Sequence, residues 1–110
     1  MIEKIVHDYL NSELEVPVCM EKPEEEPMRY VLVEKTGSGE DDHIFTATIA
    51  IQSYAESLYQ AAVLNELVKG AMYGIVKLNS IGKAKLNTDY NFTDTTKKKY
   101  RYQAVYDLTY

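Results

Sequence analysis

His43-Ile44-Phe45-Thr46-Ala47-Thr48-Ile49-Ala50-Ile51-Gln52 runs directly into Ser53-Tyr54-Ala55-Glu56-Ser57-Leu58-Tyr59-Gln60-Ala61-Ala62-Val63-Leu64-Asn65-Glu66-Leu67-Val68-Lys69-Gly70-Ala71-Met72. The first part alternates, with Phe45, Ala47, Ile49 and Ile51 on one face and Thr46, Thr48, Ala50 and Gln52 on the other. That period is a strand's. The second part repeats at helical spacing through Tyr54, Leu58, Ala61, Ala62, Leu64, Leu67, Val68, Ala71 and Met72. The switch is expected at Ser53, an N-cap residue with Glu56 three positions on to complete a capping box. A strand that feeds a helix in this way folds the helix back onto its own sheet. The apolar stripe is broad enough for a helix packed on two sides, and Gly74 is the expected stop.

Working outward, Ile2, Ile5, Val6, Tyr9 and Leu10 predict an amphipathic helix ending near Asn11 or Ser12, with His7 on its polar side. Leu14, Val16, Val18 and Met20 alternate as a short strand, and Pro17 assigns it to an edge. Glu21–Pro27 is a proline-punctuated acidic connector. Met28–Thr36 reads as a central strand, apolar on both faces around Tyr30-Val31-Leu32-Val33. Gly37-Ser38-Gly39-Glu40-Asp41-Asp42 is expected to form a flexible hairpin loop. Lys83–Phe92 and Tyr100–Tyr110 each alternate and predict a C-terminal hairpin. Lys97, Lys98 and Lys99 sit at its turn as edge-protecting charges.

The expected fold is α+β. It is a small single-layer, mostly antiparallel sheet of about four to five strands, with two helices on one face in the order α-β-β-β-α-β-β. A chain of 110 residues, 45% apolar and 26% charged, fits one domain over residues 1–110. A net charge of −5 argues against a general nucleic-acid binder, because phosphate neutralisation needs excess Lys and Arg. The lone Cys19 cannot form an internal disulfide, which suits a reducing compartment. No apolar run approaches the about 18 residues of a membrane span. The expected place is therefore inside a cell, with no membrane partner.

Chemistry needs a nucleophile or a tuned acid and base in a pocket. His7 and His43 stand in no recognisable setting, and Cys19 has no histidine near it in sequence. Asp41, Asp42 and His43 are consecutive, so in an extended segment they point to opposite sides and make a poor metal site. The glycines at 37 and 39 are followed by no Gly-Lys-Ser/Thr and cradle no phosphate. The expectation is no enzyme, with no catalytic residue, cofactor or metal. Ten tyrosines and no tryptophan fit two readings, half-buried strand positions, where tyrosine is favoured, and surfaces that meet other proteins. Candidate interaction loops carry Glu24, Glu25 and Glu26, and Glu40, Asp41 and Asp42. Candidate interface aromatics are Tyr100, Tyr102, Tyr106 and Tyr110.

Four segments carry a resemblance: Glu15-Val16-Pro17-Val18-Cys19-Met20-Glu21-Lys22-Pro23, Tyr30-Val31-Leu32-Val33-Glu34-Lys35-Thr36-Gly37, Ala50-Ile51-Gln52-Ser53-Tyr54-Ala55-Glu56-Ser57 and Asn87-Thr88-Asp89-Tyr90-Asn91-Phe92-Thr93. Together they make nearly the whole chain similar to small morphogenesis proteins of long-tailed phages and prophages of Gram-positive bacteria. Within that group it looks most like the tail terminator, or tail completion, proteins. The resemblance implies a homo-oligomeric ring, usually a hexamer, in the virion tail or neck, assembled in the host cytoplasm. Such a ring caps the tail tube, ends polymerisation of the major tail protein and offers a surface to the head–tail connector. DNA passes through its lumen without sequence-specific binding, and the family has no active site. An acidic total charge suits a conduit that lets DNA slide, while Lys97–Lys99 depart from it. The alternatives are another head–tail neck or connector completion protein and, from a different class, a small host-directed interaction module.

Overall fold

A computed structural model of residues Met1–Tyr110 begins with helix α1 (Ile2–Glu13), followed by strands β1 (Val18–Cys19), β2 (Tyr30–Asp41) and β3 (Ile44–Ala55). Helix α2 (Leu58–Met72), a short 3₁₀ turn at Ile75–Lys77, and strands β4 (Lys83–Asn91) and β5 (Tyr100–Thr109) complete the chain. The five strands form one sheet in the order β1-β2-β3-β5-β4. All pairs are antiparallel except β1 with β2, which is parallel. This is the expected α+β order, with both helices packed on one sheet face.

The corner between β3 and α2 turns later than Ser53. Ser53 is fully buried in the sheet, opposite Val31 on one side and Tyr102 on the other. Strand β3 continues to Ala55, and Ser57 is the true N-cap, its hydroxyl accepting from the Gln60 amide at 3.2 Å. Two flanking ladders hold Ser53, Tyr54 and Ala55 extended, and that pairing outweighs one local capping box. Glu56 is freed from the helix start and reaches Arg29 instead, at 2.7–3.2 Å.

Three further expectations are corrected. Gly37–Asp41 is paired strand, and the loop shrinks to Asp42-His43, both at positive φ (51° and 66°). A two-residue turn of that hand matches strand twist, so the pairing extends to the tip. The segment around Val18 contributes only two paired residues, since Pro17 has no N–H to give. The Pro17 carbonyl accepts from the Val31 amide at 2.9 Å and starts the parallel pairing. β2 is therefore flanked on its outer side only at Val31 and Leu32, and β3 is the central strand. Helix α2 ends at Met72 with Tyr73 as its C-cap, so it stops just before Gly74 as expected, although Gly74 has φ −89° and is no left-handed cap. Gly74 instead leaves room for Tyr9, whose hydroxyl would lie 2.6 Å from an added Cβ and donates to the Ala71 carbonyl.

The core lies between the helices and the near face of the sheet. Ile2, Val6 and Leu10 of α1 meet Val31 and Val33. Leu64, Val68 and Met72 of α2 meet Ile49, Ile51, Ala104, Tyr106 and Leu108. Each large aliphatic side chain so buried contributes about 1.5–3 kcal/mol.

Candidate assembly surfaces

The far face of the sheet carries no helix, and register assigns its residues. Tyr30, Gln52 and Tyr54 stand there with Arg101, Gln103 and Tyr90. A continuous chain of hydrogen bonds crosses three strands, β3, β5 and β4. Arg101 Nη1 donates to the Tyr54 hydroxyl at 2.8 Å, and Tyr54 donates to Gln52 Oε1 at 2.8 Å. Gln52 Nε2 donates to Gln103 Oε1 at 2.9 Å, and Gln103 Nε2 donates to the Tyr90 hydroxyl. The Tyr30 and Tyr54 rings stack with centroids 4.5 Å apart, and the Arg101 guanidinium lies 4.4 Å from the Phe92 ring centre.

Two loops fold over one end of this face. In the acidic connector, Glu24 and Glu25 face solvent, while Glu26 accepts from the Tyr30 hydroxyl at 2.6 Å and pairs with Lys99. The Lys99 hydrogen bond is the main cause that holds the Glu26 carboxyl below the usual range. Glu26 is thus a fastening, and Glu24 and Glu25 are left exposed. Lys97 and Lys98 remain exposed at the facing turn, where Asp94 and Lys99 close an antiparallel bridge.

At the opposite end the β2–β3 hairpin projects past the helices, and every residue from Glu34 to Thr46 is exposed. Glu40, Asp41 and Asp42 cluster at its tip. Behind them Phe45 stacks on Tyr110, centroids 6.0 Å apart, and the Tyr110 amide donates to the Phe45 carbonyl. Of the other candidate aromatics, Tyr100 and Tyr102 are partly exposed. Tyr106 is not a surface residue: it is 5% exposed inside the core, and burial pushes its phenol up to about 12. It alternates with the far-face residues and therefore points at α2.

The outer face of α2 is apolar. Tyr59, Val63 and Leu67, spaced four apart, are 73%, 37% and 58% exposed, and Tyr73 and Val76 extend the apolar surface past the helix end. Val63 and Leu67 border a cleft of about 360 Å³ shared with Leu14 and Val16. The broad stripe seen in the sequence is real, and half of it remains uncovered. Leu64 belongs to the buried half and Leu67 to the free half.

Several titratable groups are tied to neighbouring groups. His7 Nδ1 lies 2.9 Å from Asp8, and its Nε2 is occupied by the Val18 carbonyl at 2.8 Å, so the pair faces no nucleophile. Lys69 and Asn65 both donate to Asp89, linking α2 to β4, and the Lys69 hydrogen bond lowers the Asp89 carboxyl. Cys19 is partly buried and borders none of the clefts. No group of three or more His, Cys, Asp or Glu side chains converges on a cation position. No helix is long and apolar enough to cross a membrane. The far-face ladder went unrecognised in the sequence. Its signal, polar and aromatic residues at alternate positions 30, 52, 54, 101 and 103, becomes readable only once β3 is known to pair with β5. No protein-family model matches the chain, and no curated protein is significantly similar to it.

Proposed function

We propose that this chain is a structural subunit of a long-tailed phage that assembles with copies of itself into a ring, hexameric by the resemblance. The ring caps the tail tube, ends polymerisation of the major tail protein and presents a face for the head–tail connector. Its place is the virion neck, and its role is non-catalytic. The observation that carries this reading beyond the four resembling segments is the exposed apolar face of α2. Solvent-facing Tyr59, Val63 and Leu67 in one row on so small a domain make a surface suited to a protein partner. A net charge of −5 suits a lumen through which DNA slides without being held.

Electron microscopy of tails assembled with and without the protein tests the proposal. Overlong, uncapped tubes are expected in its absence. Tubes of normal length that fail only to join heads would move the protein to another neck position. Tails of normal length that join normally would overturn a role in the tail or neck.

A further inference from the structure

The sheet ends in two unpaired edges of opposite charge. The outer edge of β4 is a nine-residue strand with Lys83 and Lys85 exposed at its start. The outer edge of β2 is free from Glu34 to Asp41 and ends in Glu40, Asp41 and the turn residue Asp42. Open edges of this length are templates for another strand. The lysines at the start of one edge and the carboxylates at the end of the other attract, which favours pairing of the two unlike edges.

Register makes the two edges fit. Lys83 pairs with Thr109, Thr109 with Thr46 and Thr46 with Gly39, so these four form one row across the sheet. Lys85, Asp107, Thr48 and Gly37 form the next row. β4 runs antiparallel to β2. If a neighbouring copy continues the sheet without stagger, its β2 meets β4 antiparallel. Lys83 then lies across from Gly39 and diagonal to Asp41, and Lys85 lies across from Gly37. Each glycine lacks a side chain where a lysine stem must cross. Both edges also carry a bulge at this level, β2 between Lys35 and Gly37 and β4 between Leu86 and Thr88. Bulges bend strands and increase twist, which helps a continuing sheet to curl.

We infer that copies of this chain join head to tail by pairing the β4 edge of one with the Glu34–Asp41 edge of the next. The interface is heterologous, so repetition closes a ring if the rotation allows and otherwise grows a filament. The inference deepens the ring reading above by assigning the contact between subunits.

Sedimentation velocity of the purified full chain tests it. The parent is expected to sediment as an assembly larger than a dimer that weakens as salt rises. Lys83→Glu/Lys85→Glu and Glu40→Lys/Asp41→Lys should each lower association by about tenfold or more while keeping the parent's circular dichroism. An equimolar mixture of the two variants should reassemble, because every edge then meets an opposite charge. A monomeric parent overturns the inference, and so does a mixture that stays apart. A parent assembly indifferent to both reversals overturns the edge contact while leaving tube capping, read separately by microscopy, to stand.

Discussion

Glu56 sits where β3 hands over to α2, and Arg29 grips it with both Nε and Nη2. That hydrogen bond, first among the causes, holds the Glu56 carboxyl at about 2, against an ordinary value of 4.5. A carboxyl lowered on folding stabilises the native state above its unfolded value and loses that contribution as pH falls toward its folded value. Glu56→Gln is therefore expected to melt below the parent at pH 6, with the gap closing between about pH 4.5 and pH 2. Thermal melts of both proteins across that range measure it, and a gap independent of pH would exclude the ion pair as its source. Serine chemistry at this corner was readable from the sequence, but the choice between Ser53 and Ser57 was not. Both precede a helical pattern, and the cross-strand partners that keep Ser53 extended lie 22 and 49 positions away, at Val31 and Tyr102.

At the scale of elements, β3 and β5 share a polar seam on the far face where strands usually pair apolar residues. Gln52 and Gln103 are 6% and 9% exposed, and each satisfies the other. Gln52→Leu leaves the Gln103 carbonyl and the Tyr54 hydroxyl without their partner, at a cost of about 1–3 kcal/mol. The double variant Gln52→Leu/Gln103→Leu is expected to cost less than the sum of its singles, with a coupling of about 0.5–3 kcal/mol. Urea unfolding of the four proteins supplies the cycle, and strict additivity would dissolve the seam into independent contacts. Helices and long strands were legible because their periods are long and regular. The hairpin tip was not, because glycine and acid mark loops by propensity while Asp42 and His43 form a tight turn through two positive φ angles. Tertiary pairing with β3 carries Gly37–Asp41 into the sheet despite its composition.

For the molecule as a whole, one helix divides the core from the surface proposed for assembly. Leu64→Asp places a charge at a 3% exposed core position and is expected to abolish the folded state. Leu67→Asp falls on the free half of the stripe and should change stability by no more than about 0.5 kcal/mol. Its expected effect is weaker assembly with copies or with the tube. Circular dichroism and sedimentation of the two variants read the two effects apart, and a Leu67→Asp protein that assembles and caps like the parent would remove α2 from the contact surfaces. The layer order was legible from the sequence, but the parallel β1 was not. Two residues make too short a pattern, and their direction depends on how the acidic connector carries the chain back along the sheet.

The fastening of that connector has an optical consequence. The chain holds no tryptophan, so its near-ultraviolet signal comes almost wholly from tyrosine. Tyr30 is stacked on Tyr54, and its hydroxyl is bonded to the Glu26 carboxylate that also takes Lys99. A phenol in van der Waals contact with another ring and bonded to an anion emits and rotates light differently from a free one. Release of the connector, whether by acid or by a docking partner, would separate Glu26 from Tyr30 and expose the stacked pair. The protein thus carries its own label at the place where one of its loops is latched.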